Sequence, residues 1–400
     1  FQPLTSFSAD LEKALPKFLS RNIGLMRYER PTPIQSYALP IALKRRDLMC
    51  CAQTGSGKTC AFLLPVVLSL SAGPKKKWAD HFHGKSCAPA ALILAPTREL
   101  AMQIEVECEK LCNGASGVSS SVVYGGASAR TQLVYLAKGM DILVATPGRL
   151  QDFVDRSLVS LQKIQFLILD EADRMLDMGF EPQIRKLVQK SGMPGPGARQ
   201  TMMFSATFPP PMQKLAAEFL SEYIWIGVGR VGSTVSSITQ RLVLANNNKR
   251  EKLLLLKDAL GSTRAGARTL IFVKKKSSAR WVSKQLRKPD GDFGGITSAE
   301  IHGDRSQSQR ESALAAFRDG TIQILVATDV AARGLDVDGV EHVINFDLGA
   351  TKDEFDSYVH RIGRTGRAGK TGLATAFYVP GYEPKVGCGP IAKDLLHLLK

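Results

Sequence analysis

The pentapeptide ILVAT occurs twice in this chain, as residues 142–146 within "DILVATPGRL" and as residues 324–328 within "QILVATDVAARGLD". Short apolar runs with β-branched residues are typical of buried strands, and each copy continues from its threonine into a loop that contains glycine and arginine. An open parallel sheet carries its functional loops at the carboxyl ends of its strands. We therefore predict that the two copies are equivalent strands of two similar domains, whose loops face a common ligand. Chance recurrence of common β-forming residues is the alternative.

The same kind of apolar run recurs along the chain and alternates with segments of helical length. "ALILAPT" and "TLIFVK" are two such runs, and "RELAMQIEVECEKLC" is a segment with apolar residues at helical spacing. This alternation predicts an α/β fold, in which parallel sheets are covered by helices on both faces. Because 400 residues exceed one ordinary core, we expect two domains, residues 1–227 and 245–400. A flexible linker rich in Gly, Ser and Thr is expected at 228–244.

Composition limits the classes of protein to which the chain can belong. With 44% hydrophobic and 22% charged residues, it has the composition of a globular protein. The 53 Lys and Arg against 37 Asp and Glu give a net charge of +16, which is typical of a protein that binds a polyanion. A basic surface that serves solubility alone would have the same charge.

Neither a membrane span nor a secretory signal is expected. No run of 18 or more apolar residues occurs, and the first ten residues have neither a basic start nor an apolar stretch. Seven scattered cysteines without a CxxC motif favour a reducing compartment, the cytoplasm or the nucleus. Since the chain begins with Phe1, we expect a core cut from a longer protein.

The segment "AQTGSGKT", residues 52–59, follows an apolar strand and has the pattern of a phosphate-binding loop with Ala in place of the first Gly. In such a loop, backbone N–H groups surround the phosphates, the lysine neutralises their charge and the hydroxyl after it reaches Mg²⁺. The pattern assigns nucleotide binding to Thr54, Gly55, Ser56, Gly57, Lys58 and Thr59. A glycine-rich turn that begins a helix is the alternative.

An acidic pair follows a second apolar run in "FLILDEADRML". Asp170 is placed to hold Mg²⁺ through water, and Glu171 is placed to polarise an attacking water molecule. Such a pair is weak evidence by itself. Together with an upstream phosphate loop, it indicates nucleotide hydrolysis.

Further short motifs stand in a fixed order along the chain. They are "YERPTPIQ" (28–35), "PTREL" (96–100), "YGG" (124–126), "TPGR" (146–149), "SAT" (205–207), "HGDRSQ" (302–307), "TDVAARGLD" (328–336) and "YVHRIGRTGR" (358–367). With "DEAD" at 170–173, this series resembles the DEAD-box RNA helicases over nearly the whole chain. "YERPTPIQ", "CAQTGSGKT" and "HRIGRTGRAGKTGLATAF" look closest to the Vasa-like branch. The resemblance implies two tandem RecA-like domains, with ATP and Mg²⁺ as cofactors.

In "YERPTPIQ" the resemblance implies a site that reads adenine. Tyr28 would stack on the base, Arg30 would lie beside it and Gln35 would hydrogen-bond its Hoogsteen edge. The two prolines hold the segment extended. Phe7 is a candidate for a further wall of this pocket, and an ordinary packing role explains it equally well.

Residues of the second domain are expected to complete the ATP site. By resemblance, Arg364 and Arg367 are arginine fingers on the γ-phosphate, because a guanidinium offers a planar set of donors to phosphate oxygens. Asp336 would contact the ribose, although a structural ion pair is an equal explanation. His360 and Arg361 would bind the two domains together. The expected catalytic residues are therefore Lys58, Asp170, Glu171, Arg364 and Arg367.

The remaining motifs would hold RNA or link it to the ATP site. Asp173, Ser205 and Thr207 are expected to couple the two sites through hydrogen bonds from the hydroxyls to the aspartate. The expected RNA contacts are Pro96, Thr97, Arg98, Gly126, Thr146, Gly148, Arg149, Thr328, Arg333 and Gly334. Hydroxyls, glycine amides and arginines suit phosphate, and none of these residues reads a base edge. We therefore expect binding without sequence specificity; a preference for RNA would rest on contacts to the 2′-OH.

The sequence thus predicts an ATP-dependent RNA helicase that unwinds short duplexes locally or remodels RNA–protein complexes. Single-stranded and duplex RNA are the expected partners, with regulatory or ribonucleoprotein partners besides, no membrane, and a monomeric chain. An RNA-binding clamp or scaffold would be marked by loss of Lys58, Glu171 or Arg364, and all three are present. A DNA translocase is disfavoured by the adenine motif and by the lack of an obvious extra domain.

Two segments receive a simpler interpretation. In "GPKKKWADHFHGKSCAP", residues 73–89, the set of His81, His83 and Cys87 suggests a metal site, but no fourth ligand stands at a fitting spacing. We favour a solvated surface insertion. "VKKKSS", residues 273–278, either adds phosphate contacts or caps a helix.

Overall fold

The computed structural model describes residues 1–11, 15–53, 55–73, 78–114, 117–229, 237–264, 266–329, 339–366, 371–383 and 386–399. The chain divides into two compact units, Phe1–Val231 and Gly232–Lys400. Each unit has a parallel sheet with helices packed against it, so the predicted α/β class with two similar sheets is confirmed.

The first unit is built on a seven-stranded sheet in which every paired strand is parallel to its neighbour. The strands of this sheet are β1 (Leu48–Cys51), β4 (Ala91–Leu94), β5 (Ser120–Val123), β6 (Ile142–Ala145), β7 (Phe166–Leu169), β8 (Gln200–Ser205) and β9 (Ile224–Gly227). Two short strands, β2 (Phe82–His83) and β3 (Ser86–Cys87), form an antiparallel hairpin outside the sheet. The order across the sheet is β5-β6-β4-β7-β8-β1-β9.

The second unit has a six-stranded parallel sheet. Its strands are β10 (Ile238–Leu244), β11 (Thr269–Val273), β12 (Ser298–Ile301), β13 (Ile324–Thr328), β14 (His342–Asn345) and β15 (Gly372–Tyr378). The order across the sheet is β10-β15-β14-β11-β13-β12.

Helices connect the strands of both units. In the first unit they are α1 (Phe7–Leu11), α2 (Lys17–Leu25), α3 (Pro33–Ala42), α4 (Lys58–Ser71), α5 (Arg98–Cys112), α6 (Ala129–Leu136), α7 (Pro147–Asp155), α8 (Ala172–Asp177), α9 (Glu181–Lys190) and α10 (Pro210–Phe219). In the second unit they are α11 (Lys249–Gly261), α12 (Lys276–Leu286), α13 (Gln307–Arg318), α14 (Lys352–Ile362) and α15 (Ala392–Leu399). Among the described residues, no helix has the length and apolar character that crossing a bilayer requires.

The two ILVAT segments occupy equivalent places in the two sheets. Read from one edge, the first sheet runs β5-β6-β4-β7-β8-β1 and the second runs β12-β13-β11-β14-β15-β10, so the strands correspond one to one in chain order as well. The repeated segments are β6 and β13, each next to an edge strand and each buried along its whole length. The prediction of equivalent strands is confirmed. Burial on both faces explains why they are continuous apolar runs.

Part of the predicted linker is in fact a strand. Ile238–Leu244 forms β10, which pairs with β15 along its whole length. As an edge strand, β10 alternates between more and less exposed residues instead of forming an apolar run. That pattern, next to the Gly-, Ser- and Thr-rich stretch before it, made the segment look like a linker. The prediction that the second domain begins at residue 245 was therefore too late by at least this strand.

The first sheet is covered on both faces, as its sequence pattern requires. Successive residues of β4 point to opposite sides, so that Ala91 and Ile93 join one buried cluster and Leu92 and Leu94 join another. The second unit has a continuous cluster around its strands. These buried strands form rigid platforms from which loops emerge at the carboxyl ends.

Candidate functional site

Sheet order separates the motifs of the first unit into two groups. The neighbours β1, β8 and β7 are followed by the phosphate loop, the SAT segment and the acidic pair. The neighbours β4, β6 and β5 are followed by the PTREL, TPGR and YGG segments. Because all of these strands are parallel, both groups lie at the carboxyl edge of one sheet, where ligands of open α/β folds bind.

The phosphate loop leads directly into α4, which begins at Lys58. Gly57 has φ 89°, and a Cβ there would lie 2.5 Å from Gln35 Nε2, so this position requires glycine. Lys58 is buried, and its Nζ donates to the carbonyl oxygen of Ala52 at 2.7 Å. The ammonium thus binds an oxygen of the loop itself, as it would bind a phosphate oxygen. Thr54 lies outside the described residues.

The adenine motif is tied to the phosphate loop by side-chain hydrogen bonds. Thr32 Oγ1 donates to the carbonyl oxygen of Ser56 at 2.6 Å, and Gln35 Nε2 donates to that of Gly57 at 3.0 Å. Gln35 Oε1 also accepts from the backbone N–H of Thr32 at 2.9 Å, which completes a capping box at the start of α3. The Gln35 amide keeps one further donor and one further acceptor site for a base.

Tyr28 lies between two side chains of its own unit. Its ring stacks on Phe7 with a centroid distance of 6.0 Å, and its hydroxyl donates to Glu107 Oε2 at 3.2 Å. Burial raises the pKa of the Tyr28 phenol, so it remains a neutral donor. Phe7 is buried in the core behind Tyr28, which supports the packing role among the two roles considered for it. Arg30 is exposed.

The acidic pair is almost fully removed from solvent, with Asp170 3% and Glu171 5% exposed. Asp170 Oδ1 accepts from the backbone N–H of Glu171 at 3.0 Å. Burial is the main reason that the pKa of Asp170 rises to about 7, while the positive charge of Lys58 opposes the rise. Glu171 has a left-handed backbone, φ 49° and ψ 49°, at the start of α8. Strained backbone of this kind is concentrated at functional sites.

Asp173 connects the acidic segment to the SAT loop. Its Oδ2 accepts from Thr207 Oγ1 at 2.9 Å and from the backbone N–H groups of Thr207 and Ala206 at 3.0 and 3.2 Å. Ser205 behaves differently from the expectation, because its hydroxyl donates to the carbonyl oxygen of Thr207 at 2.7 Å and is not bonded to Asp173. A serine at the end of a strand can fold its hydroxyl back onto its own turn, and here that turn fixes Thr207.

The second group of loops is linked by arginines. The Arg98 guanidinium packs against the backbone of Gly126, at a place where any Cβ would clash with it. Arg149 Nη2 donates to the carbonyl oxygen of Ala127 at 3.1 Å, and its Nη1 is buried without a hydrogen-bond partner in the described part of the chain. The backbone N–H of Gly125 donates to Thr146 Oγ1 at 3.4 Å. The loops after β4, β5 and β6 therefore form one continuous surface.

The other candidate RNA contacts on this surface lie at the N-termini of helices. Thr97 begins α5, and its hydroxyl accepts from the backbone N–H of Leu100 at 3.3 Å. Pro96 precedes it and is buried, whereas Gly148 in the first turn of α7 is exposed. The N-termini of α5 and α7 thus both lie at the carboxyl edge of the sheet, beside the same surface, and helix N-termini are common phosphate sites.

In the second unit, Arg361 is the centre of a buried network. Its guanidinium pairs with Asp329, donates to Asn345 Oδ1 at 3.1 Å and donates to the carbonyl oxygen of Asp347 at 3.0 Å. These bonds give Arg361 a role inside its own unit, because a buried guanidinium needs several acceptors close by; that Arg361 also binds the two domains together stays a prediction.

Arg364 and His360 are also buried, and the backbone N–H of Arg364 donates to the carbonyl oxygen of Arg361 at 3.1 Å. Thr328 stands at the end of β13 and is buried. Four further candidates of the second unit lie outside the described residues, namely Arg333, Gly334, Asp336 and Arg367.

Sequence reasoning missed several polar residues that hold these sites; Lys252 and Arg174 are buried and Glu107 is half-buried. Lys252 Nζ donates to Asp347 Oδ1 at 2.9 Å and to the carbonyl oxygen of Phe346 at 3.0 Å. Glu107 holds Tyr28, and Arg174 faces Glu171. Arg174 directly follows the DEAD motif, which was a usable signal. Lys252 and Glu107 lie on helices where a charged residue normally faces solvent, so no sequence pattern marked them.

The 73–89 segment contributes the β2–β3 hairpin. Cys87 is buried and packs against Met140, while His83 is exposed. His81 Nδ1 lies 3.8 Å from Asp141 Oδ1. In the described residues no group of three or more His, Cys, Asp and Glu side chains could hold a metal ion.

A phosphate loop after the first strand of a parallel sheet, with an acidic pair after the next strand but one in that sheet, defines a RecA-like nucleotide-hydrolysing unit. Two family models match the chain, "DEAD/DEAH box helicase" at residues 32–215 and "Helicase conserved C-terminal domain" at residues 251–369.

Solved structures of related proteins cover 94–99% of this chain. The yeast DEAD-box splicing factor Prp28 is 34% identical, with 99% of this chain and 85% of that chain covered and a TM-score of 0.55. S. cerevisiae Dbp5 bound to RNA and ADP BeF3 is 27% identical, with 99% and 94% covered and a TM-score of 0.80. Mss116p bound to ssRNA and AMP-PNP is 27% identical, with 94% and 75% covered and a TM-score of 0.79. The chain belongs to the DEAD-box family of ATP-dependent RNA helicases, which are RNA-stimulated ATPases.

Proposed function

We propose that this helicase binds ATP with Mg²⁺ at the loops after β1, β7 and β8, and holds the RNA backbone at the loops after β4, β5 and β6. The pair of hydrogen bonds from Thr32 and Gln35 to the phosphate loop carries the proposal. Those bonds connect the residues that would read adenine with the residues that would hold the phosphates. A simple glycine-rich turn would not need such a connection.

The residues of the first unit fit ATP and Mg²⁺. Mg²⁺ prefers hard oxygen ligands and keeps several water molecules, and the Asp170 carboxylate and the Thr59 hydroxyl are oxygen donors of that kind. Lys58 would exchange the Ala52 carbonyl for phosphate oxygens. Bound Mg²⁺ supplies positive charge that stabilises the phosphates during transfer. Glu171 orients the attacking water, and Arg364 and Arg367 stabilise charge on the γ-phosphate.

RNA would be held mainly through its phosphates and sugars. The surface made by the loops after β4, β5 and β6 offers the guanidinium groups of Arg98 and Arg149 and the N-terminal turns of α5 and α7. None of these groups reads a base edge. The RNA bound to Dbp5 and to Mss116p supports this assignment. We infer binding without sequence specificity, local opening of short duplexes and remodelling of RNA–protein complexes.

Three finer proposals concern branch, partners and place. "YERPTPIQ" and "HRIGRTGRAGKTGLATAF" support a position in the Vasa-like branch. A Dbp5 variant bound to Gle1 and IP6 supports a regulatory protein partner for this chain. Seven cysteines without a disulfide support a reducing compartment, the cytoplasm or the nucleus.

ATPase rates with single-stranded RNA, with single-stranded DNA of the same length and without nucleic acid test the proposal. RNA should raise the rate strongly and DNA should raise it much less. Equal stimulation by DNA would contradict RNA selectivity. Tight RNA binding without ATP turnover would instead favour the clamp or scaffold.

A further inference from the structure

Arg174 is a buried arginine to which no motif assigns a role. It lies in the first turn of α8 and is 5% exposed. Its Nε is 3.6 Å from Glu171 Oε2, and its Nη1 is buried without a hydrogen-bond partner in the described part of the chain. Burying a guanidinium is costly unless an opposite charge compensates it. Packing alone therefore does not explain why a guanidinium is buried beside Glu171.

The surroundings of Arg174 are strongly acidic. Asp170, Glu171 and Asp173 are all buried within four residues of chain. Lys58 and Arg174 are the buried cations of the same segment and the phosphate loop. Like charges so close together repel one another, and the effect is strong where water is excluded. Under the proposed function Lys58 turns to the phosphates of ATP, so Arg174 remains as the cation beside Glu171.

The geometry of α8 gives Arg174 control over the Glu171 side chain. Glu171 is the residue before the helix, with a left-handed backbone, and its side chain makes no capping hydrogen bond to the helix N-terminus. Arg174 is three residues further on, so the two side chains share one face of the helix. The ion pair thus pulls the carboxylate toward the helix face and restricts its rotation.

We propose that Arg174 is a positioning residue for ATP hydrolysis, which holds the Glu171 carboxylate in the orientation that directs the attacking water. The inference rests on the proposed role of Glu171. Arg174 itself need not touch the nucleotide. Loss of the guanidinium should therefore slow turnover without weakening the binding of ATP or RNA, because neither ligand depends on the orientation of Glu171 in the ground state.

Four variants of the full chain test the proposal: Arg174→Met, Arg174→Gln, Arg174→Lys and, as a matched control, Arg199→Met. Arg199 is equally buried in the same unit, and it bonds Thr201 Oγ1 at 3.1 Å and the Phe219 carbonyl oxygen at 3.4 Å, away from the acidic segment. The measurements are kcat and KM for ATP at saturating RNA, RNA affinity with an ATP analogue, and thermal unfolding.

Arg174→Met and Arg174→Gln should lower kcat roughly tenfold or more, since a small misplacement of a catalytic group can cost far more than that. KM for ATP and RNA affinity should stay within about twofold of wild type. Arg174→Lys should recover most of the lost kcat because it keeps the charge. Arg199→Met should unfold at a lower temperature with kcat nearly unchanged.

A normal kcat in Arg174→Gln or Arg174→Met would overturn the proposal, as would a parallel loss of kcat and nucleotide affinity in the folded variants. If Arg174→Met does not fold, the comparison of Arg174→Gln with Arg174→Lys decides the matter. Glu171→Gln in the same assay distinguishes a failure of the proposed role of Glu171 from a failure of the proposed role of Arg174 alone. Normal turnover there would remove the proposed role of Glu171, whereas lost turnover there with normal Arg174→Gln would remove only the present inference.

Discussion

At the scale of single residues, the candidate ATP site contains a few groups with unusual backbone or burial. Glu171 adopts a left-handed backbone with φ 49°, which costs a non-glycine residue roughly 1–2 kcal/mol. Asp170 is buried beside it, and that burial raises its pKa to about 7. A protein that served only to bind RNA would gain nothing from such strain, and its presence at the acidic pair agrees with a catalytic role.

Glu171→Gln should keep ATP and RNA binding but lower the rate of hydrolysis by about 100-fold or more, because the amide has lost the charge that orients water. The measurement is RNA-stimulated ATPase activity together with RNA affinity in the presence of an ATP analogue. Glu181→Gln, at the start of α9 with an Arg185 partner, is the matched control. Wild-type turnover in Glu171→Gln would exclude this residue from the mechanism.

Gln35→Ala removes a donor to the Gly57 carbonyl and an acceptor for the Thr32 N–H. Each hydrogen bond of this kind contributes about 0.5–1.5 kcal/mol, so we expect KM for ATP to rise roughly tenfold and RNA stimulation to weaken. Steady-state ATPase assays measure both, with Gln189→Ala on α9 as control. Equal hydrolysis of GTP and ATP by the wild-type protein would show that "YERPTPIQ" does not read adenine.

At the scale of elements, one parallel sheet carries two candidate sites at different positions along its carboxyl edge. The neighbours β1, β8 and β7 carry the candidate ATP residues, and the neighbours β4, β6 and β5 carry the candidate RNA residues. Asp173, which follows β7, is hydrogen-bonded to Thr207, which follows β8. A change at the acidic pair can therefore reach a neighbouring loop through side chains on rigid strands.

Arg149→Ala should weaken RNA binding to a similar degree for any base sequence, because phosphate contacts carry no sequence information. The slope of log affinity against log salt should fall by roughly 0.7 for one lost contact on a single strand. Titrations at several salt concentrations, with melting curves, measure this, and the exposed Arg156 of the same region provides the control Arg156→Ala. An unchanged slope would place Arg149 outside the RNA site.

The corresponding prediction for the second unit concerns Arg333, in the loop that follows the second ILVAT strand. Arg333→Ala should weaken RNA binding by a similar amount, mainly when an ATP analogue is present. We would compare RNA affinity with and without the analogue. Wild-type affinity of Arg333→Ala with the analogue would contradict the idea that both repeated strands lead to one ligand.

At the scale of the whole molecule, six strands of each unit share one order, and a buried histidine of the second unit makes stability depend on pH. In the second unit His342 is fully buried, and one of its ring nitrogens shares a 2.8 Å hydrogen bond with Thr375 Oγ1. Burial is the main reason that the pKa of His342 falls from 6.5 to about 4. The unfolded chain therefore takes up a proton at this residue before the folded chain does.

The stability that neutral His342 contributes is present above pH 6.5 and is lost as the pH falls toward 4. Between pH 7.5 and pH 5 the loss should be about 2 kcal/mol of unfolding free energy. Denaturant unfolding at the two pH values, monitored by a probe in the second unit, measures this change in the free energy of unfolding. His342→Gln, which cannot take up a proton, should show a loss smaller by this amount. Equal losses in both proteins would refute the prediction.

Much of this architecture could be read from the sequence because the informative residues are close together along the chain. The apolar runs that became β4, β6, β7 and β13 are buried on both faces, and burial on both faces produces a continuous apolar pattern. The phosphate loop and the acidic pair each combine a strand end with functional residues in one short segment. The strand β10 was missed because an edge strand is half exposed and lacks that pattern.

The sequence by itself determined the class of fold, the repeat of the ILVAT strand and the chemistry of the ATP and RNA motifs, since each depends on local order and residue type. Only the tertiary structure decided which side chains meet. In the folded chain Gln35 donates to the Gly57 carbonyl, and the Ser205 hydroxyl donates within its own loop. Arg361 is surrounded by Asp329, Asn345 and Asp347. Arg174 forms an ion pair with Glu171. The physical reason is that a buried polar group must find partners within hydrogen-bonding or ion-pairing distance. Those partners come from segments that the fold brings together. The separation of two segments along the chain does not predict whether they are in contact.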